Sequence, residues 1–191
     1  LVSSLFAYKF YTAFSESLIF LRFLCIPLLI YFFLANSKKK SDLLFISIFI
    51  SLLIVILDSL FQFFNYSSDK GFQRDIFGYI PDFAPYNRLT GPFKDLVPGA
   101  YISKFAFIGL VFFHIFIQNI KLRMFLIIFY LAICGYLTFI SGERMAFATF
   151  GLGLIIFLFF SKNNKIFIFL SFILMCVFIL LSLKLHPSFN D

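Results

Sequence analysis

Two arginines in the chain have the surroundings expected of phosphate ligands. The first, Arg88, lies in the Pro- and Gly-punctuated stretch YNRLTGPF, where no acidic residue is nearer than Asp82 and Asp95. A planar guanidinium donates paired hydrogen bonds to phosphate oxygens. Arg88 is therefore a candidate phosphate ligand. The alternative is an arginine that packs within its loop or extends to a membrane interface.

The second arginine, Arg144, closes the short sequence SGER that begins at Ser141 and precedes an apolar run. A helix N-terminus presents free backbone N–H groups and a partial positive charge, which favour an anion, and an arginine there adds a full charge. The alternative is a surface pair with Glu143 or an interfacial anchor. The sequence leaves the two interpretations open.

A third set of polar residues lies inside apolar runs. Asp58, Gln62 and Asn65 are spaced as one stripe of a helix. Arg22 in the preceding run has the charge to pair with Asp58, and Lys104 lies about one helical turn into the following run. Because polar side chains are costly in lipid, they are functional candidates. We expect a polar cavity; the alternative is a structural pair that fixes helix packing.

Other familiar chemistries are missing from the sequence. It contains no P-loop, no GxGxxG, no HExxH and no GxSxG motif. Its cysteines form no CxxC pair and all lie in apolar runs: Cys25, Cys134 and Cys176. We therefore expect no metal site and no cofactor.

Apolar runs dominate the chain and must position these residues. The sequence is 62% hydrophobic and 13% charged, with a mean hydropathy of +1.01. A membrane-spanning helix needs about 20 apolar residues. Suitable runs cover residues 14–35, 43–64, 100–118, 124–140, 145–161 and 166–183. The pattern predicts an all-α integral membrane protein, a polytopic bundle of about six transmembrane helices in a single transmembrane domain.

The connection at residues 65–99 differs from the others in length and composition. It is rich in proline and glycine, which predicts an irregular loop. It also carries several aromatic residues, which suit a membrane interface or a site for a sugar ring or lipid-linked group: Phe72, Phe77, Tyr79, Phe83, Tyr86 and Phe93. Within it, Arg74 and Asp75 are expected to form a surface pair.

Charge in the short connections predicts the orientation. Residues 36–42, 119–123 and 162–165 are basic, so they are expected in the cytoplasm, and residues 65–99 and 141–144 on the opposite side. The net charge of +7 thus reports topology rather than a nucleic-acid partner. A composition with 34 Phe and no Trp fits an AT-rich bacterial genome, which makes the expected location the bacterial inner membrane. Because residue 1 is leucine, we also expect a fragment of a longer protein.

Two motifs resemble one family. The sequence RLTGPFKD at residues 88–95, followed by PGAYI at residues 98–102, resembles the "R-x-[ST]-G-x-F … G" pattern of the O-antigen ligase and O-antigen polymerase family. Residues 58–62 and 75–79 are similar to its lead-in. The sequence SGERMAF at residues 141–147 is similar to that family's "[ST]-G-[SE]-R-x-A" segment, with Glu143 where many members have serine.

The resemblance implies a metal-independent membrane glycosyltransferase of the cell envelope. Such enzymes transfer a glycan from undecaprenyl pyrophosphate to lipid A core or to another lipid-linked glycan at the periplasmic face. It implies that Arg88 and Arg144 hold the pyrophosphate. The polar residues themselves, apart from the resemblance, predict a supporting polar cluster: Asp58, Gln62, Arg22, Lys104 and Glu143. The family's catalytic histidine is expected beyond residue 191, because His186 does not match its motif. This segment alone is therefore expected to be inactive.

Two other functions remain open on the sequence. A polysaccharide flippase or other transporter requires polar residues through the whole membrane depth and internal repeats. A non-catalytic membrane scaffold requires local pairing of the charges, Arg144 with Glu143 and Arg22 with Asp58. The arrangement of the two candidate arginines is the feature that separates these functions from glycan transfer.

Overall fold

The structure, a computed structural model, describes residues 31, 38–67, 71–78, 80, 88–93, 97–160 and 165–185. The chain divides into two compact units, Leu1–Leu44 and Phe45–Asp191. The second unit contains both candidate arginines and nearly all of the described helices. The predicted span at residues 14–35, including Arg22, lies outside the described residues.

The described part of the chain is almost entirely helical. Its five helices are α1 (Lys38–Phe64), α2 (Pro98–Phe116), α3 (Ile120–Ile140), α4 (Arg144–Phe160) and α5 (Lys165–Leu185). The two short strands β1 (Tyr66–Ser67) and β2 (Gly71–Phe72) form an antiparallel hairpin directly after α1, with Tyr66 opposite Phe72.

Four of the described helices are long and apolar enough to cross a membrane: α1, α2, α3 and α5. The apolar helix α4 is shorter. These helices support an all-α membrane protein. The total of about six spans stays a prediction.

The basic residues before the second predicted span do not form a loop. The connection was expected to continue to Asp42, but α1 already begins at Lys38. Likewise, α3 begins at Ile120 rather than after Arg123. Lysine and arginine have long apolar stems and so are tolerated in the end turns of an apolar helix. The helices therefore begin before the predicted spans, and the limits of the membrane-spanning segments stay a prediction.

Local signals explain where the helices begin and end. Pro98 occupies the first turn of α2, where a missing N–H group costs no hydrogen bond. The side chain of Asn119 caps α3 by accepting a hydrogen bond of 3.1 Å from the Lys121 N–H group. After α3, Gly142 adopts a φ of 70°, a left-handed conformation that ends the helix and turns the chain into α4.

Helix α3 lies at the centre of the second unit. It packs against α2, α4 and α5, and it is 67% buried along its apolar segment, against 17% for α5. Helix α1 contacts α2 through long side chains, as in the stacked rings of Phe49 and Phe112, whose centroids are 4.1 Å apart. The low burial of α5 leaves most of its apolar surface for lipid or for other parts of the protein.

A glycine brings α2 and α3 close together. A Cβ atom on Gly109 would collide with the hydroxyl group of Tyr130, and that hydroxyl donates a 2.9 Å hydrogen bond to the Ala106 carbonyl. Small residues at such crossings let two helix backbones approach. The Tyr130 hydroxyl is thereby satisfied within the apolar core.

The substitution Gly109→Ala should therefore destabilise the protein, by about 1–3 kcal/mol, because an added methyl group overpacks this contact. Thermal unfolding in detergent measures the effect. The matched control is Gly151→Ala in α4, where nothing lies within 4 Å of an added Cβ atom. The control should be neutral or slightly stabilising, since alanine favours helix over glycine. Equal melting temperatures for the two variants would contradict the packing argument.

Candidate functional site

The candidate site lies at one end of the second unit, which we call the loop end. Here the last turns of α1 meet the described loop residues 71–78 and 88–93, the start of α2, and the turn at residues 141–143. These segments are far apart in sequence. Buried polar contacts hold them together.

The side chain of Gln62 fixes the loop that carries Arg88. Its carbonyl oxygen accepts hydrogen bonds from the N–H groups of Thr90, at 2.9 Å, and Gly91, at 2.8 Å. Its amide nitrogen donates to the Gln73 carbonyl and the Thr90 hydroxyl, both at 3.3 Å. Gln62 is 0% exposed. A buried carboxamide with all these partners is a structural connection between α1 and two parts of the loop.

Asp58 makes a second connection one helical turn earlier. Its Oδ1 atom accepts a 2.8 Å hydrogen bond from the Ile76 N–H group, and the residue is 0% exposed. Its Oδ2 atom and the hydroxyl of Ser59 are buried and have no hydrogen-bond partner in the described part of the chain. Buried polar atoms of this kind usually have a hydrogen-bond partner, either protein or water.

Gly91 permits the closest approach of the loop to α1. Its φ is 54°, and a Cβ atom there would lie 2.6 Å from the Ser59 hydroxyl and 3.7 Å from Asp58 Oδ2. The same position lies 3.5 Å from Pro98 at the start of α2. Only glycine fits without displacing Ser59, and it also tolerates the left-handed conformation.

The start of α2 also contacts the turn before Arg144. A Cβ atom on Gly99 would collide with the Ser141 hydroxyl and lie 3.5 Å from Ala146. Ser141 is buried, and its hydroxyl donates a 2.8 Å hydrogen bond to the Thr138 carbonyl. The loop that follows Arg88 and the turn that precedes Arg144 therefore pack on successive residues, Pro98 and Gly99.

Both candidate arginines are exposed at the loop end, Arg88 beside the buried Leu89 and Arg144 at the first position of α4. Glu143 is half-buried, and its Oε2 atom is buried without a hydrogen-bond partner among the described residues. The local pair of Glu143 with Arg144 is thus not formed there.

A groove of about 370 Å³ adjoins Arg144. Its described lining is apolar apart from the two charged residues and the Gly142 backbone: Phe139, Ile140, Gly142, Glu143, Arg144 and Phe147. The rings of Phe139 and Phe147 lie edge to face, with centroids 5.7 Å apart. An apolar floor with a cation at its rim suits a ligand that is both anionic and partly apolar.

The other predicted site residues that the structure describes have different surroundings. Asp58 and Gln62 are buried in contact with the loop, whereas Asn65 is exposed. Lys104 is exposed and lines a separate groove beside α2. Arg22 lies outside the described residues. The buried members Asp58 and Gln62 bind backbone groups of the loop, and the polar cavity that includes Arg22 stays a prediction.

One further feature differs from the sequence predictions. Asp75 is only 4% exposed, so the prediction that it lies at the surface in a pair with Arg74 was wrong. Among the described residues, no group of three or more His, Cys, Asp or Glu side chains has an arrangement that could hold a metal ion.

No protein-family model, curated protein or solved structure matches this chain. The likeness of the segments at residues 88–95 and 141–147 to one family therefore stays a sequence-based prediction.

Sequence reasoning missed the structural roles of Gln62, Ser59 and Ser141. The spacing of Asp58 and Gln62 placed them on one helical face, but it did not show that the partners would be backbone groups 11 to 29 residues away. A signal was present in the Gly91-Pro92 turn. Such a turn has N–H groups that need acceptors when it is buried.

Replacing Gln62 with methionine should loosen this loop. The change preserves the side chain's approximate size but leaves the buried N–H groups of Thr90 and Gly91 without an acceptor, at a cost of about 1–3 kcal/mol each. Hydrogen–deuterium exchange should be faster at both amides, and the melting temperature should fall. Gln118→Met is the matched control, since Gln118 is exposed. Unchanged exchange at Thr90 in the Gln62 variant would show that the carboxamide does not hold the loop.

Proposed function

We propose that this protein belongs to the machinery that transfers or polymerises glycans linked to undecaprenyl pyrophosphate. The observation that carries the proposal is the packing of two arginine-bearing segments on adjacent residues of α2. Gly91, three residues after Arg88, approaches Pro98, and Ser141, three residues before Arg144, contacts Gly99. The motif resemblance at both segments supports the same function.

The proposed chemistry requires a stabilised leaving group. An acceptor hydroxyl attacks the anomeric carbon of the lipid-linked glycan, and the bond from that carbon to the pyrophosphate oxygen breaks. The electron pair goes to the pyrophosphate, and the hydroxyl proton goes to a base. Fixed cations next to a water-poor surface stabilise the charge that develops on the pyrophosphate. Arg88 and Arg144 are the proposed ligands of the pyrophosphate.

The surroundings of Arg144 suit such a donor. The groove of about 370 Å³ has an aromatic and aliphatic floor, which favours contact with a prenyl chain or a sugar face. The helix N-terminus and the guanidinium both favour a phosphate at its rim. The proposed partners are the undecaprenyl-pyrophosphate-linked glycan and, as acceptor, lipid A core or another lipid-linked glycan. The proposed location is the bacterial inner membrane, with the loop end on the periplasmic side.

The alternatives account for less of what is observed. The scaffold hypothesis required Glu143 to neutralise Arg144, and that pair is not formed in the described part of the chain. A transporter requires a polar path through the membrane. Among the described residues, buried polar side chains lie mainly at the loop end. Ser171, toward the other end, donates its hydroxyl hydrogen bond to Ile168 of its own helix.

The arginines can be tested in the full-length protein. Arg88→Ala and Arg144→Ala should each lower the yield of assembled polysaccharide at least about tenfold, because each removes a charge-assisted contact worth about 1.5–3 kcal/mol. Gel analysis of polysaccharide in a complemented deletion strain measures the yield. Arg88→Lys and Arg144→Lys should recover only part of it, since lysine makes no bidentate contact.

The matched control is Arg74→Ala, because Arg74 is exposed on the same predicted loop. It should leave the polysaccharide unchanged. Protein levels must be equal in all strains. Wild-type polysaccharide from both alanine variants would exclude the proposed role of these arginines.

The proposed orientation has its own test. Phe77→Cys and Lys121→Cys place single cysteines at exposed positions on opposite sides of the predicted topology. A membrane-impermeant maleimide should label the Phe77 variant in intact cells and the Lys121 variant only after permeabilisation. The reverse pattern would place the loop end in the cytoplasm and remove it from any periplasmic donor. The background is a variant in which the native cysteines are serine.

A further inference from the structure

A second groove at the loop end lies beside the first two turns of α2. It has a volume of about 250 Å³, and its described lining is Phe93, Val97, Ala100, Tyr101, Lys104 and Phe105. Three of these side chains form a continuous aromatic wall. The ring centroids of Phe93 and Tyr101 are 5.6 Å apart, and those of Tyr101 and Phe105 are 4.8 Å apart. None of the groove residues belongs to the Arg144 groove.

Lys104 supplies the cation of this groove. It is exposed, and it lies six residues after Pro98, roughly 9 Å along the axis from the start of α2. At that depth a lysine extends its apolar stem along the helix and places its ammonium group toward the headgroup layer. No acidic side chain is among the described residues that line the groove. An ammonium group in these surroundings favours an anionic partner.

The aromatic wall is held in place from outside the groove. The Tyr101 hydroxyl shares a 2.8 Å hydrogen bond with the hydroxyl of Ser51 on α1. This bond connects α1 to α2 and restrains the Tyr101 ring. The ring face, rather than its hydroxyl, is therefore the part that contacts a ligand. Aromatic side chains at this depth commonly lie against acyl chains at the interface.

We propose that this groove binds an anionic phospholipid of the surrounding bilayer. Lys104 contacts the headgroup phosphate, and Phe93, Tyr101 and Phe105 contact an acyl chain. Lys104 is exposed, so the groove is open to the surroundings of α2. Bilayer lipid is the ligand present there at the highest concentration. A free phosphate ion would leave the aromatic wall without a partner, and a neutral lipid would leave the ammonium group without one.

The inference does not rest on glycan transfer. Its residues are separate from Arg88 and Arg144, and lipid binding requires no donor or acceptor glycan. A bound phospholipid at this position would stabilise the contact between α1 and α2 next to Phe93, which ends the loop segment carrying Arg88. Its role is therefore to support the loop end from the bilayer side.

Native mass spectrometry of the full chain in detergent tests the proposal. With added phosphatidylglycerol, the unmodified protein should retain lipid, and Lys104→Gln should bind it about tenfold more weakly, as expected for loss of one charge-assisted contact. Lys104→Arg should stay within about twofold of the unmodified protein. The matched control is Lys121→Gln, because Lys121 is exposed outside the groove and should leave binding unchanged.

Four results would overturn the proposal. The first is equal retention of phosphatidylcholine and phosphatidylglycerol, and the second is an equal loss of lipid binding in the Lys104 and Lys121 variants. The third is displacement of the lipid by millimolar inorganic phosphate. The fourth is stronger retention of a polyprenyl phosphate than of phosphatidylglycerol. Thermal unfolding of each variant without added lipid separates lost binding from lost folding. An unchanged melting temperature for Lys104→Gln together with weaker binding supports the groove as the lipid site.

Discussion

The arrangement of the loop end depends on the carboxamide of Gln62. A membrane protein has to satisfy every buried backbone group internally, so irregular loops persist only where side chains or other backbone supply partners. Gln62 accepts hydrogen bonds from two successive N–H groups, those of Thr90 and Gly91, while its amide donates to two other groups. The Asp58 carboxylate accepts one hydrogen bond, from the Ile76 N–H group. The last turns of α1 therefore act as a template for the loop.

This template separates two kinds of polar residue. The buried ones, Asp58 and Gln62, bind the protein's own backbone, and the exposed ones, Arg88 and Arg144, lie at the surface of the same end. Gln62 holds the segment that follows Arg88 against α1, where Gly91 approaches Pro98, whereas the turn before Arg144 packs on Gly99. The residues that hold the loop in place are thus different from the residues proposed to contact a ligand. This is usual where neighbouring side chains fix a functional group.

The two grooves at the loop end have the same kind of lining. Each combines aromatic rings with a cation at the rim, Arg144 in one and Lys104 in the other. Aromatic surfaces contact hydrocarbon or sugar faces, and the cation contacts phosphate. Ligands that carry both parts, such as lipid-linked phosphates and phospholipids, match this lining better than soluble anions do. The two proposals therefore concern related ligands at distinct sites.

The sequence alone predicted the helical membrane class, the approximate limits of five described helices and the candidate arginines, because runs of apolar residues and guanidinium chemistry are local properties. It placed the first residues of α1 and α3 too late in the chain, since long basic side chains are tolerated in the first turn of a helix. Only the tertiary structure gave the partners of Gln62 and Asp58, the burial of Asp75 and the groove that Lys104 lines. Those features depend on contacts between residues distant in sequence. Hydrogen bonds between such residues produce no periodic pattern from which the sequence could predict them.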